Sequence, residues 1–224
     1  MPRATVQEEI TLTLEDIRVK ELRPNCYKIK FITNRGSNEG ILHYREGCTA
    51  GTVMVGGTGG GWDGPASIYR DMGPDLLREG IATLRLDYRR PGELEECVLD
   101  TLAGIEYLNE YKLDRIGLVG WSFGGAVVIS AGAMSDAVRC VATIASQSYG
   151  TDQADELSPK ALLLLHGTGD KTLSPSSSQY IFERAKEPKE IVLFPGANHG
   201  IDQNRDDVKR RIEDFLIRYL EQNG

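Results

Sequence analysis

Residues 116–134 read Ile-Gly-Leu-Val-Gly-Trp-Ser-Phe-Gly-Gly-Ala-Val-Val-Ile-Ser-Ala-Gly-Ala-Met. The apolar run 116–119 predicts a buried strand, and residues 125–134 are compatible with a helix. Between them, residues 120–124 fit the pattern G-x-S-x-G. Glycines on either side of Ser122 let the chain turn sharply from strand to helix without Cβ clashes. We therefore expect Ser122 on a strained turn at the end of a strand.

Short apolar runs of the same kind recur after Gly51. They occupy residues 52–55, 81–86, 116–119, 141–145, 161–165 and 191–194. Because both faces of each run are apolar, the runs predict parallel strands that helices cover on both sides. Strands of this kind end at one edge of a sheet, and that edge is where an open α/β sheet places its binding site.

Helical patterns alternate with these runs. The two clearest apolar faces consist of Leu94, Val98, Leu102, Ile105 and Leu108, and of Val208, Ile212, Phe215, Leu216 and Tyr219. Gly73 and Pro74 should interrupt or delay a helix before residue 81. The alternation predicts a doubly wound, mostly parallel α/β sheet. No linker composition divides the chain, so we expect a single domain over residues 1–224.

The N-terminal part follows a different pattern. Apolar and polar side chains alternate at Ile10, Leu12 and Leu14 and again at Tyr27, Ile29 and Phe31. Turn signals stand at residues 23–25 and 34–38. This arrangement predicts half-buried antiparallel strands, that is, an N-terminal meander that precedes the parallel sheet.

A nucleophilic serine needs a base to take its proton and an acid to orient that base. The chain contains three histidines, His43, His166 and His199. His43 lies in an early strand, before the serine, and His166 at the end of the run 161–165 is expected to brace the loop that follows. His199 lies in a loop after the run 191–194, at the edge where the site is expected. We therefore predict His199 as the base.

The predicted acid is Asp170, in the loop after the run 161–165. The chain order is then nucleophile Ser122, acid Asp170 and base His199. Other carboxylates follow the neighbouring runs and remain alternatives for holding the imidazole, namely Asp152, Asp155 and Asp202.

A second glycine motif predicts a different protein. Residues 59–64 fit G-x-G-x-x-G, and Asp87 follows at the end of the next run, as in a dinucleotide-binding fingerprint. That fingerprint needs a tight turn that aims helix N–H groups at a pyrophosphate. Here several residues separate Val55 from the first glycine, and Pro65 stands where the helix should already run. We therefore expect no nucleotide or other cofactor.

The three site motifs resemble those of the α/β-hydrolase superfamily from about Gly51 to the C-terminus. G-W-S-F-G, H-G-T-G-D and A-N-H-G carry Ser122, Asp170 and His199 in that superfamily's order. The chain is most similar to the lid-less dienelactone-hydrolase-like enzymes and short-chain carboxylesterases, although dienelactone hydrolases proper have a cysteine at the nucleophile position. The resemblance implies an α/β-hydrolase fold without a cap domain.

The resemblance also implies the remaining parts of the site. The Phe123 amide is one expected oxyanion donor, and Thr58, or alternatively Gly59, supplies the other from the loop after Val55. Apart from the resemblance, residues in candidate rim loops are expected either to line an acyl or alcohol pocket or to be buried in the core, namely Trp62, Tyr149, Leu173 and Ile201. Arg89 and Arg90 are expected to form a solvated charge pair at a strand end rather than a carboxylate anchor.

Composition limits the partners and the compartment. The chain has 26 basic and 33 acidic side chains and no basic cluster with interleaved aromatics, which argues against a nucleic-acid partner. No apolar stretch approaches the ~20 residues that cross a bilayer, and the first residues lack a signal-peptide core. We therefore expect a cytoplasmic protein with no membrane partner. The four cysteines are widely spaced and predict neither a zinc site nor a disulfide framework.

Together these features predict a serine hydrolase that cleaves small carboxylic esters with short acyl groups through an acyl-enzyme on Ser122. Thioesters and lactones pass through the same tetrahedral species and are the nearest alternatives. A non-catalytic ligand-binding protein with this fold is the alternative from another class. The sequence carries no signal for an oligomeric state.

Overall fold

The computed structural model describes residues 11–221. Its strands are β1 (Leu14–Arg23), β2 (Cys26–Thr33), β3 (Gly36–His43), β4 (Ala50–Val55), β5 (Ile81–Leu86), β6 (Ile116–Trp121), β7 (Val138–Ile144), β8 (Ala161–Gly167) and β9 (Lys189–Phe194). Its helices are α1 (Ile68–Arg78), α2 (Leu94–Asn109), α3 (Phe123–Met134), α4 (Ser176–Arg184) and α5 (Arg205–Glu221). Two predictions concern residues outside this range: the apolar alternation that includes Ile10, and the lack of a signal-peptide core in the first residues.

The described residues form one nine-stranded sheet in the order β1-β2-β3-β5-β4-β6-β7-β8-β9. The first three strands are antiparallel and join the sheet where β3 pairs with β5. From β4 onward all neighbours are parallel. The predicted doubly wound, mostly parallel sheet with an N-terminal meander is therefore confirmed, and residues 11–221 contain no separate cap domain.

Helices cover both faces of the sheet. Val53 of β4 and Leu118 of β6 point into an apolar cluster shared with α2, α3 and α4. Their neighbours Met54 and Val119 point into a second cluster, shared with α1 and α5. The period-two alternation of strand side chains thus supplies both cores. Among the helices of residues 11–221, none has both the length and the apolar composition needed to cross a bilayer.

The first strand differs from the prediction. It begins at Leu14 and continues to Arg23, so Leu12 precedes it, and its side chains are almost all exposed. The reason is its position: among the described strands, β1 lies at the edge of the sheet and pairs only with β2, so backbone hydrogen bonds rather than burial define it. The predicted turn at residues 23–25 is confirmed, because β2 begins at Cys26.

Gly73 and Pro74 do not interrupt α1, contrary to the prediction. Proline removes only one N–H from the hydrogen-bond ladder, and tertiary packing holds the helix against the sheet. The glycine has a packing role, since a Cβ at Gly73 would lie 2.6 Å from Nδ1 of His43.

The His43 side chain, beneath α1, is buried without a polar partner. The residue is 3% exposed, and within residues 11–221 neither ring nitrogen has a hydrogen-bond partner. Burial, with the positive charges of Arg85 and Arg23, lowers the pKa of His43 to about 4. The folded protein therefore resists protonation of a ring that titrates near pH 6.5 when unfolded.

This difference predicts a loss of stability in mild acid. Between about pH 6.5 and 4 the unfolded state binds a proton that the folded state does not, so the free energy of unfolding falls as pH falls through this window. We expect His43 to lower the free energy of unfolding by about 2–3 kcal/mol across this window. Chemical denaturation at pH 7 and pH 4.5 measures the effect, with His43→Met as the comparison, because methionine carries no proton. If the free energy of unfolding fell by the same amount between pH 7 and pH 4.5 in wild type and in His43→Met, the prediction would be contradicted.

Candidate active site

Ser122 occupies a strained turn between β6 and α3. Its backbone has φ 58° and ψ −117°, in the left-handed half of conformational space. A Cβ at Gly120 would lie 2.1 Å from the carbonyl oxygen of Gly124, and one at Gly124 would lie 2.3 Å from that of Gly56. Both motif glycines are thus required for the close approach of strand, helix and neighbouring loop. The Ser122 amide donates to the Ile144 carbonyl at 2.8 Å, which fixes the turn to β7.

His199 and Asp170 extend from Ser122 in a hydrogen-bonded series. Ser122 Oγ lies 3.1 Å from His199 Nε2, and His199 Nδ1 lies 2.7 Å from Asp170 Oδ2. The other carboxylate oxygen, Oδ1, accepts the amides of Thr172 at 2.7 Å and Leu173 at 2.9 Å. Burial by itself would raise the pKa of Asp170, but the hydrogen bonds from His199 and the two amides outweigh it and lower that pKa. Asp170 is therefore held as a carboxylate.

The alternative carboxylates lie elsewhere. Asp202 accepts a hydrogen bond from Asn198 at 2.7 Å and thereby holds the loop that carries His199. Asp152 and Asp155 belong to a short 3₁₀ segment, Asp152–Glu156, that follows β7. The carboxylate that is hydrogen-bonded to the imidazole of His199 is that of Asp170.

The glycine-rich loop after β4 passes directly beside the serine. A Cβ at Gly57 would lie 3.5 Å from Ser122 Cβ. Within residues 11–221, the amides of Phe123 and Thr58 donate no hydrogen bond to another protein group. The loop is closed on itself, since the Gly60 amide donates to the Gly57 carbonyl at 3.0 Å. Unpaired amides beside a serine can receive the charge of an oxyanion.

Two tyrosines that the sequence analysis missed hold this loop. Tyr88 Oη donates to the Gly56 carbonyl at 3.0 Å, and Tyr69 Oη donates to the Val55 carbonyl at 3.3 Å. Burial raises the pKa of both phenols, so both remain protonated donors. The position of Tyr88, two residues beyond the run 81–86, was the only signal in the sequence.

The dinucleotide motif has a structural explanation. Asp87 Oδ1 accepts the amides of Gly61 at 2.7 Å and of Tyr88 at 2.8 Å, so this carboxylate holds the glycine loop to the end of β5. The following helix begins only at Ile68, and the loop therefore lacks the tight turn of a pyrophosphate site. Within the described residues, no group of three His, Cys, Asp or Glu side chains is placed to hold a metal ion.

Trp121, which occupies the first x of the motif G-x-S-x-G, also contacts the site. Its indole N–H donates to the His199 carbonyl at 3.2 Å, and its ring centroid lies 5.5 Å from that of His199. The same ring reaches the glycine-rich loop after β4, since a Cβ at Gly57 would lie 3.5 Å from it. Trp121 therefore packs between the two loops that flank Ser122. The motif allows any residue at this position, so the sequence did not indicate a role for Trp121.

His166 does not reach Ser122. It is fully buried at the end of β8, with Nε2 3.2 Å from Asp170 Oδ2 and 3.1 Å from the Leu173 carbonyl. Its Nδ1 lies 2.7 Å from Ser178 Oγ, on α4. The expected contact of His166 with the acid loop is therefore present, and Ser178 was not foreseen.

The four pocket residues named from the sequence lie in different surroundings. Ile201 is 1% exposed and belongs to the core beneath α5, so its assignment to the rim was wrong. Leu173 is used through its backbone, which holds Asp170 and His166. The Trp62 ring lies 5.9 Å from the Lys28 ammonium, against the meander. Tyr149 is 81% exposed and borders a cavity of about 480 Å³ between α2 and α3, which does not include Ser122.

Arg89 is not part of a solvated charge pair, contrary to the prediction. Its side chain is 1% exposed and forms ion pairs with Asp100 and, at 2.9 Å, with Glu96. The chain after β5 folds back against α2, which brings these carboxylates to the guanidinium. Burial raises the pKa of Asp100 to about 6, although the hydrogen bonds from Arg89 oppose this. Arg90 does remain exposed, beside Glu93.

Comparison with known proteins gives consistent matches. The family model described as "Dienelactone hydrolase family" matches residues 66–221. The uncharacterized protein YfhR of Escherichia coli (strain K12) is 28% identical over 142 residues, which cover 52% of this chain and 50% of YfhR. The chain thus spans about half the length of this curated relative.

Solved structures show the same architecture. A dienelactone hydrolase from Anabaena variabilis superposes with a TM-score of 0.77 at 17% identity, covering 87% of this chain and 97% of that one. The α/β hydrolase GrgF from Penicillium sp. sh18 gives a TM-score of 0.73 at 17% identity, covering 87% and 99%. At these identities the likeness establishes the fold, which is that of the α/β hydrolases.

Proposed function

The chain belongs to the dienelactone hydrolase family, and from that premise we propose that it is a serine hydrolase that cleaves small carboxylic esters through an acyl-enzyme on Ser122. The observation that carries this proposal is the series Ser122 Oγ, His199 Nε2, His199 Nδ1 and Asp170 Oδ2, joined at 3.1 and 2.7 Å. These groups have the geometry of a nucleophile, its base and an orienting acid.

The proposed reaction has two halves. As Ser122 Oγ attacks the ester carbonyl, His199 Nε2 takes the hydroxyl proton, and Asp170 stabilises the resulting imidazolium. Collapse of the tetrahedral intermediate expels the alcohol, which receives that proton from His199. A water molecule, deprotonated by the same imidazole, then attacks the acyl-enzyme. His199 Nε2 returns this proton to Ser122 Oγ as the bond to the acyl group breaks, which releases the carboxylic acid and free Ser122.

The amides of Phe123 and Thr58 are the proposed oxyanion donors, with Gly59 as the alternative to Thr58. Phe123 directly follows Ser122, and Thr58 directly follows Gly57, which lies beside the Ser122 side chain. Within residues 11–221 neither amide has a protein acceptor, which supports the proposal. Each such donor contributes about 3 kcal/mol to the transition state in comparable sites. Tyr88 and Tyr69 hold the carbonyls of Gly56 and Val55, which fixes the backbone that leads into Thr58.

The chain around Ser122 favours an open site. In the connection between β7 and β8, residues 145–160, the side chains of Ala154 and Leu157 are buried in the core beside α3. This connection therefore packs against the side of the molecule instead of forming a cap over the serine. Without a cap, a long acyl chain leaves much of its surface in water and gains little of the ~0.8 kcal/mol available per buried CH₂.

We therefore expect a preference for short acyl groups. For a series of aryl esters, kcat/KM should peak at about two to four acyl carbons and decline toward about eight, without activation at an oil–water interface. Initial rates below the micelle-forming concentration of each ester measure this profile, with Ser122→Ala as the blank. A steady rise in kcat/KM with chain length would mean that a deep acyl pocket exists, and would contradict the open site.

A further inference from the structure

We propose that His166 and Ser178 form a positioning pair behind Asp170 that sets the pH range in which His199 acts as the base. The inference rests on the proposed function, in which Asp170 and His199 are the acid and the base. Neither His166 nor Ser178 touches Ser122, so both act through the carboxylate.

The first observation is that one carboxylate oxygen serves two imidazoles. Asp170 Oδ2 lies 2.7 Å from His199 Nδ1 and 3.2 Å from His166 Nε2. Oδ1 is occupied by the amides of Thr172 and Leu173. With donors on both oxygens, the carboxylate is fixed in orientation. The hydrogen bonds from His199 and His166 compete for the negative charge on Oδ2.

The second observation fixes the tautomer of His166. Its Nε2 lies between Asp170 Oδ2 and the Leu173 carbonyl, and both of these groups only accept hydrogen bonds, so Nε2 carries a hydrogen. Burial is the main cause that lowers the pKa of His166, so the ring is neutral and Nδ1 is an acceptor. The Ser178 hydroxyl, 2.7 Å away, is the donor that Nδ1 needs. Ser178 therefore stabilises the tautomer that donates to Asp170.

The charged groups around this pair are few. Leu193 of β9 lies opposite His166 in the sheet and is apolar. On the loops that pack against β8, the titratable groups are Asp170 and His199, with Lys171 and Asp202 exposed to solvent. On α4 the facing group is the Ser178 hydroxyl. The hydrogen bond from His166 is thus a main control on how much of the Asp170 charge acts on His199.

A consequence follows for the working range of the enzyme. The His166 hydrogen bond draws charge on Oδ2 away from His199 and so makes the imidazolium less stable. Without that bond, the whole charge of Oδ2 would act on His199, which would hold its proton to higher pH. The pair therefore keeps His199 available as a base at lower pH.

Four variants test this role. His166→Phe removes the donor and keeps a planar ring, whereas His166→Gln can still place an N–H near Asp170. Ser178→Ala removes the donor to Nδ1. Ser177→Ala is the matched control, because Ser177 is the adjacent serine of α4 and has no contact with the imidazole. Thermal denaturation establishes that each variant is folded.

The readout is the pH profile of kcat/KM, whose acid limb reports protonation of the base in the free enzyme. We expect the acid limb of His166→Phe to move up by about 0.5–1 pH unit, with plateau kcat reduced less than about tenfold and KM unchanged. Ser178→Ala should move it in the same direction by less. His166→Gln should restore the limb, and Ser177→Ala should match the wild type. A merely structural role would lower kcat equally at every pH.

An NMR titration of the His199 ring gives a second readout that does not depend on hydrolysis. Its midpoint should rise in His166→Phe and in Ser178→Ala. If wild-type protein shows no Ser122-dependent hydrolysis, the proposed function fails while this titration still tests the coupling. An unchanged midpoint in folded His166→Phe would overturn the inference. If that variant does not fold, an unchanged midpoint in Ser178→Ala relative to Ser177→Ala would do so.

Discussion

Replacing Ser122 with alanine is expected to remove ester hydrolysis while the fold is retained. The expected fall in kcat is about 10⁴–10⁶-fold, because loss of the nucleophile leaves only the oxyanion donors and substrate binding. The fold should survive, since the backbone amide and carbonyl of Ser122 form their hydrogen bonds with other main-chain groups, which the substitution leaves in place. Initial rates on an aryl acetate measure the loss.

The control is Ser148→Ala. Ser148 follows Gln147, whose amide donates to the Ser122 carbonyl at 3.4 Å, and its replacement should leave the rate near that of wild type. Circular dichroism and thermal denaturation show whether each variant is folded. A Ser122→Ala protein that is folded and still turns over the ester at a near-wild-type rate would exclude Ser122 as the nucleophile.

The second large effect concerns the two histidines near Asp170. His199→Gln should lower kcat nearly as far as Ser122→Ala, because nucleophile and base act as one unit. His166→Gln should cost less than about tenfold, since His166 contacts the carboxylate and not the serine. The replacement is the same in both variants, so the comparison isolates position. The rates at the pH optimum of each protein decide it.

The double variant Ser122→Ala with His199→Gln provides the check on this interpretation. If the two residues act together, its activity should equal that of Ser122→Ala alone. A larger loss for His166→Gln than for His199→Gln, in folded proteins, would reverse the assignment of the base.

Much of the fold could be predicted because its signals are local. The run 116–119 with G-W-S-F-G specifies strand, turn and helix within a few residues, and the glycines act on their own neighbours. Parallel strands that are apolar on both faces are visible one at a time in the sequence. Because such strands end at one edge of the sheet, the amino-acid pattern was enough to place the loops of Asp170 and His199 near Ser122.

The supports of the site could not be predicted, since they depend on how distant segments meet. Trp121 reaches the carbonyl of His199, 78 residues later in the chain, and Tyr88 reaches the carbonyl of Gly56. Ile201 shows the opposite error: it lies two residues after His199, yet its side chain turns into the core under α5. A loop sequence does not state which side chains face inward. The ion pairs of Arg89 could not be predicted either, because Glu96 and Asp100 come close to it only when the chain after β5 folds back against α2.

The most direct test of the central claim is covalent labelling with a fluorophosphonate, because only a serine with an activated hydroxyl displaces the fluoride. Intact-mass analysis of the wild-type protein is expected to show one phosphonyl group per chain, and peptide mapping should place it on Ser122. Ser122→Ala should remain unlabelled, and His199→Gln should label far more slowly. A folded wild-type protein that gains no label, or one whose label persists in Ser122→Ala, would contradict the account of this chain as a serine hydrolase.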